Sequence, residues 1–268
     1  MTKKVFLTGA SSGIGLAMAE ALIARGDQVW GTSRNLIRLE PVHGIHPVRL
    51  DLADRRSIDD AFKCALAEAG YFDVVVNNAG SGHFGPAEEL SSEELERQFQ
   101  LLLFAHVHLM QLALRAMRAR GNGLIINVTS LASRLPVPFM AAYNAAKAAM
   151  ASFTMTLQLE LPDANVRLVD LQPADICTAF NDAIPKSAEN DPRYQMRVSK
   201  TWDAVDRNMK NAPKPELVAE HLLRLIDSNN PTPRITVGDF FQTKIAPFIF
   251  RFLPQRVRNW GLKMYYGI

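Results

Sequence analysis

Cysteine is nearly missing from this chain: Cys64 and Cys177 are the only two in 268 residues, and they form no CxxC or metal-ligand spacing. That scarcity excludes a disulfide framework and reads as two ordinary thiols in a reducing cytoplasm. There is no signal-peptide core, because MTKKVFLTGA offers only Val5, Phe6 and Leu7 after its lysines before turning polar and glycine-rich. No apolar run is read as long enough to span a membrane, so a soluble cytoplasmic protein is expected, with attachment to a membrane surface left open. A formal net charge of +3 is too small for a nucleic-acid binder. Repeats, linkers and low-complexity tracts are lacking too, so residues 1–268 are read as one domain.

What is present is a regular alternation. Residues 4–7, 28–30, 47–50, 73–76, 124–128, 166–171 and 234–237 are short, β-branched and strand-like. Residues 14–25, 57–69, 91–120, 140–161 and 215–228 carry apolar residues at helical spacing. The alternation predicts an α/β fold, a doubly wound parallel sheet of about seven strands with helices on both faces.

In such a sheet ligands sit beyond the carboxyl ends of the strands. The first strand runs into TGASSGIG, residues 8–15, and directly into a helix. There Gly9 permits a tight turn, Gly13 lets the backbone approach a pyrophosphate and Gly15 allows close helix packing; Ser11, Ser12 and Ile14 complete the loop and helix start. A glycine-rich turn without a ligand is the competing reading. The second strand ends in Ser33 and Arg34 with no carboxylate, and a guanidinium there favours NADP(H) over NAD(H) by clamping a 2'-phosphate. Arg34 as a solvated surface charge remains open. Asp51 and Leu52 follow the third strand where an adenine would lie, although Asp51 or Asp54 could equally cap a helix.

Tyr143 and Lys147 lie four residues apart on one helical face, where an ammonium lowers a phenol's pKa from its usual value of about 10. Chance supplies such a pair easily, so position carries the argument. The strand LIINVTS ends in Ser130 just before that helix, and serine and tyrosine could both donate to one carbonyl oxygen.

TGASSGIG, Asp51, NNAG at 77–80, Ser130, YNAAK at 143–147 and LQPADICT, with Pro173 and Thr178, occur in order over about the first 180 residues. In this the chain resembles a short-chain dehydrogenase/reductase of the non-extended branch. The resemblance implies a Rossmann-type NADP(H)-dependent oxidoreductase interconverting a carbonyl and an alcohol. Tyr143 would be the general acid/base, Lys147 its electrostatic support and ribose contact, and Ser130 the group polarising the carbonyl. Asn78, Ala79 and Gly80 would lie against the cofactor, as would Pro173, Ile176 and Thr178. A homodimer or homotetramer is implied, with the helices at 101–114 and 150–161 as its faces. The sequence departs from the family at Pro173-Ala174, where Pro-Gly is usual. It departs again at Leu102, the register position of an asparagine that supports a helix kink and a water feeding the lysine. His106, one turn on, could partly replace it or simply be packed. That departure keeps a cofactor-binding redox sensor without turnover as an alternative.

Residues 239–268 hold eight of the 22 aromatics and five basic residues against one acid, leaving the other 238 residues at net −1. Phe241, Ile245, Phe248 and Phe252 follow helical spacing. The tail is read as closing a substrate pocket or a subunit contact, or as a peripheral membrane dock. Apolar loop residues Phe84, Pro86, Leu131, Leu135, Val137, Pro138 and Phe139 favour a hydrophobic ketone or secondary alcohol, and the tail is similar to that of the steroid-, retinoid- and acyl-lipid-reducing relatives, a resemblance that implies a steroid-, retinoid- or lipid-like substrate. The polar stretch 178–215 is read as a mobile lid.

Overall fold

The computed structural model describes residues 2–161, 165–186 and 191–268. In chain order its elements are β1 (Lys4–Leu7), α1 (Gly13–Ala24), β2 (Gln28–Ser33), β3 (Ile45–Arg49), α2 (Arg55–Ala69), β4 (Val74–Asn77), α3 (Ser92–Phe99), α4 (Ala105–Arg120), β5 (Gly123–Val128), α5 (Ala141–Glu160), β6 (Val166–Pro173), α6 (Pro192–Asn211), α7 (Glu216–Asp227), β7 (Arg234–Val237), α8 (Ala246–Phe252) and α9 (Gln255–Tyr266). The strands form one parallel sheet in the order β3-β2-β1-β4-β5-β6-β7. The order reverses between β1 and β4, which opens a crevice at their carboxyl ends.

Strand alternation divides the core between the two faces. Val5 and Leu7 pack with Met18 and Leu22 of α1 and Leu222 of α7. Phe6 and Val75 pack on the other face with Phe62 of α2 and Leu109 and Met110 of α4. Each fully buried Leu or Phe contributes about 1.5–3 kcal/mol, so the sheet is held from both sides. Asp54, not Asp51, caps α2, its side chain accepting from the Arg56 N–H. Asp51 instead accepts from the Ala53 N–H at 3.0 Å.

The helix expected over 91–120 is interrupted. Across Gln100–Phe104 the Ala105 N–H reaches back to the Gln100 carbonyl, an i→i+5 turn. The whole stretch Ser92–Arg120 is long and apolar enough to cross a membrane, against the sequence reading. Ala105, Leu109, Met110 and Met117 are buried against the sheet, which makes it a core helix.

The segment read as a lid is largely helical: α6 has Asp191 as its N-cap and Pro192 in its first turn. Trp202 packs edge-on against Phe84 with ring centroids 4.8 Å apart. Residues 187–190 of that stretch lie outside the described residues. In the tail, Phe241, Ile245, Phe248 and Phe252 are all exposed, and of these only Phe241 also lines the cavity that the tail encloses.

Candidate active site

Thr8 directly follows β1 and anchors the loops that meet at the crevice. Its hydroxyl accepts from the N–H groups of Asn78 and Ala79 at 2.9 and 3.0 Å. The Asn78 amide donates to the Thr8 carbonyl at 3.0 Å and the Gly9 carbonyl at 3.4 Å, so it braces the glycine turn. Gly9 and Gly13 adopt φ of +70° and +53°, where a side chain would be strained. Ser12 starts α1 with extended backbone and no side-chain cap, leaving first-turn N–H groups without a capping acceptor. A β-carbon on Gly13 would stand 3.5 Å from Thr178, which brings the loop after β6 over the glycine turn. These features fit an anionic dinucleotide: unpaired amides at a helix start, close backbone approach and no acidic side chain in the turn.

The remaining predicted cofactor residues occupy the same rim. Ser33 is buried and its hydroxyl accepts from the Asn35 N–H at 3.2 Å, while Arg34 is exposed beside it. Leu52 is buried and its carbonyl accepts from the Gln100 amide, tying the loop after β3 to the irregular turn. Pro173 ends β6, and Ile176 is buried just beyond it.

Ser130, Tyr143 and Lys147 converge at the end of β5. Lys147 is 3% exposed and its ammonium donates to the Val128 carbonyl at 2.8 Å. Burial pushes it down to about 8, and Asp170 opposes that fall. The Lys147 Nζ lies 5.9 Å from the Tyr143 ring centroid. Burial raises the Tyr143 phenol above its usual value, and a hydrogen bond with Ser130 works against the rise. The expectation that lysine lowers the phenol is therefore reversed in the protein alone: desolvation exceeds the help the phenolate receives. Burial thus keeps the phenol protonated near neutral pH.

Leu102 lies in the irregular turn and is fully buried. A β-carbon placed on Gly80 would stand 3.1 Å from Leu102 Cδ2 and 3.9 Å from Lys147 Nζ, so the leucine methyl and the amine share one small space. The kink is thus present without asparagine. His106 is 1% exposed and its Nε2 has no partner among the described residues. Burial, then the neighbouring Lys147 charge, push His106 down to about 3, so it is neutral near neutral pH.

Two acids were not singled out in the sequence. Asp170 is buried in β6, accepting from Thr129, from Gln172 at 2.8 Å and from Arg234 at 2.9 Å. An acid inside a buried parallel strand was the available signal. Asp175 lines a cavity of about 300 Å³ shared with Ser130, Tyr143 and Phe180 and closed by Phe250 and Tyr266 of the tail. Its carboxylate accepts from the Gln242 amide, and burial raises its pKa. Nothing local in LQPADICT marks that role, because the tail residues that enclose it lie some 67 positions away.

Beyond this geometry, the sequence profile of the short chain dehydrogenase family matches residues 3–189. The chain belongs to the short-chain dehydrogenase family. It is an oxidoreductase of that family, with the Rossmann-type sheet the family shares. A 3-ketodihydrosphingosine reductase from Bacteroides thetaiotaomicron is 28% identical over 98% of both chains. The alcohol dehydrogenase of Thermococcus sibiricus, solved with 5-hydroxy-NADP, is 27% identical with a TM-score of 0.73, covering 90% of this chain and 98% of its own. The 3-ketoacyl-(acyl-carrier-protein) reductase of Brucella melitensis, solved with NADH, is 25% identical with a TM-score of 0.72, covering 87% and 96%. Both nicotinamide dinucleotides therefore occur among structures similar to this short-chain dehydrogenase.

Proposed function

We propose that this protein is an NADP(H)-dependent reductase that interconverts a ketone or aldehyde with its alcohol on a hydrophobic substrate. The observation that carries the reading is the pair of hydroxyls, Ser130 and Tyr143, at one wall of an otherwise largely apolar cavity. When bound, the dinucleotide supplies or accepts the hydride at the carbonyl carbon. Ser130 donates to the carbonyl oxygen and fixes its direction. The Tyr143 O–H bond breaks as its proton passes to the oxygen, and the Lys147 ammonium stabilises the phenolate left behind. Asp175 offers an acceptor to a hydroxyl or amine elsewhere on the substrate. The glycine turn, with Ser11, Ser12 and Ile14, holds the pyrophosphate, and Thr178 closes over it. NADPH oxidation with a panel of hydrophobic carbonyls tests the proposal; cofactor binding without turnover on any of them would favour the redox-sensor alternative.

Ser33 and Arg34 select the 2'-phosphate in this reading. Arg34→Asp is expected to raise the KM for NADPH by about 10–100-fold, the scale of one charge-assisted hydrogen bond lost and a repulsion gained. NADH should be used as well or better. Equal use of both cofactors by both forms would remove Arg34 from cofactor selection.

The charge of Lys147 sets the expected pH dependence. Below about 8 the amine is an ammonium, so reduction is fastest there and declines as pH rises through about 8. His106, held near 3, contributes no step around 6.5. The same depression makes the folded protein bind fewer protons than the unfolded chain between about 8 and 10.5. Lys147 therefore opposes folding below about 8, and that penalty fades as pH rises through the window. A pH profile of kcat/KM with a step near 6.5 that disappears in His106→Leu would assign the histidine a titrating role instead. The exposed Phe104 in the turn before α4 and Phe153 and Leu159 on α5 fit the expected pairing of subunits.

A further inference from the structure

Ten of the nineteen exposed large apolar side chains among the described residues fall within Phe240–Tyr265. This concentration is far from the scattered exposure of an ordinary surface. The tail has two faces. Its inner face, including Ala246, Phe250 and Leu262, walls the cavity that holds Tyr143 and Ser130. Its outer face carries Phe248, Phe252 and Trp260, exposed by 66, 67 and 64%, none of which lines that cavity.

Phe248 and Phe252 stand edge to face with centroids 5.1 Å apart, a continuous aromatic surface on α8. Arg258 pins α9 to α8, donating to the carbonyls of Leu253 at 2.6 Å and Arg251 at 3.0 Å. The outer surface is therefore built on a fixed pair of helices. Around it Lys244, Arg251, Arg256 and Lys263 are exposed, and the tail's single acid is Asp239.

We propose that the outer face of α8 and α9 docks on an anionic lipid bilayer, so that the cavity behind it exchanges apolar substrate with the membrane. The docking itself rests on the tail alone, and the exchange rests on the reading of the cavity as a hydrophobic-carbonyl site. Aromatic side chains interleaved with exposed basic ones suit the headgroup boundary. A second copy of the chain suits this face poorly, since a two-fold contact would set the tail's net charge of +4 against itself. The exposed Phe104 before α4 and Phe153, Met155 and Leu159 on α5 offer pairing a separate surface.

Co-sedimentation of the full chain with phosphatidylglycerol-rich vesicles, compared with pure phosphatidylcholine vesicles, tests this. Binding is expected to the anionic vesicles, weakened in high salt. It should fall by about tenfold or more in Phe248→Asp/Phe252→Asp and in Lys244→Glu/Arg251→Glu, since each removes one of the two contributions to interfacial binding. Circular dichroism keeps the variants comparable as folded proteins, and turnover of a small water-soluble ketone is read separately. Wild-type protein that stays in solution with anionic vesicles overturns the proposal. So does partition that neither variant reduces, or light scattering in which the aspartate variant lowers the oligomeric state while vesicle binding is unchanged. Loss of soluble-ketone turnover in wild type would sink the catalytic reading and leave vesicle binding to be judged alone.

Discussion

Tyr143→Phe is expected to lower kcat/KM for carbonyl reduction by about 10²–10⁴-fold, the usual contribution of a positioned general acid. The dissociation constant of the dinucleotide should stay within a few-fold. The substitution removes one oxygen and leaves the ring, which lies 6.0 Å from Phe180 and packs in the same apolar cluster as Phe84 and Met140. Folding is therefore little disturbed, and the loss should appear in kcat as well as kcat/KM. Ser130 can donate a hydrogen bond but is too weak an acid to give up its proton, Lys147 is committed to Val128, and His106 is buried and neutral, which leaves the phenol as the general acid of the proposed reaction. Single-turnover absorbance of NADPH against titration of cofactor binding separates the two effects. A phenylalanine variant that turns over within tenfold of wild type would require another proton donor.

Gly15→Ala is expected to be the most damaging small substitution in the cofactor loop. Its β-carbon would overlap the Gly9 carbonyl oxygen and stand 2.5 Å from the Asn78 amide nitrogen. Neither can yield cheaply, since Gly9 is held in a left-handed turn and the Asn78 amide bonds to the Thr8 and Gly9 carbonyls. Overpacking of this kind costs roughly 1–3 kcal/mol and occasionally more, against about 1 kcal/mol that alanine gains over glycine in a helix. Tm should fall by several degrees, at roughly 2–4 °C per kcal/mol for chains approaching this size. Dinucleotide affinity should fall with it, because the displaced turn is the one offered to the pyrophosphate. Gly261→Ala is the comparison: it lies inside α9 with no atom near its missing β-carbon, and should leave Tm unchanged or raise it. An unaltered Tm and affinity in Gly15→Ala would show that the turn relaxes freely.

The parts of the fold read most closely from sequence are those whose residues are buried on both sides. β1 and β7 occupy the expected residues, and the other strands differ at their ends by a few positions. A parallel strand must be apolar throughout its length, which local composition reports directly. The candidate site was legible at strand ends and turns, in the glycines and Ser130, and at the start of α5, in Tyr143 and Lys147. What was not legible depends on distant packing. α6 is polar enough to resemble a loop, and its helical state shows in sequence only through the Asp191-Pro192 start and the buried Thr201 and Ala204. The inward and outward faces of the tail could not be told apart, because both are apolar, one toward Asp175 and the cavity and the other toward solvent. The direction of the Tyr143 shift was misjudged for a related reason: spacing reveals a neighbouring charge but not how much water the fold removes.

The irregular turn at Gln100–Phe104 has a consequence for how this chain can vary by insertion and deletion. An i→i+5 turn absorbs one residue more than an i→i+4 ladder, so the segments on either side keep the rotational register they would have in an unbroken helix. Deleting one residue there would permit a continuous i→i+4 ladder while Leu109, Met110 and Ala113 stay on the sheet and Gln98 stays in its packed position. Deleting one residue from the regular stretch of α4 would instead rotate one side against the other by about 100°, the angle per residue of an α-helix. The irregular turn is thus where this helix can lose a residue without unseating either of its halves.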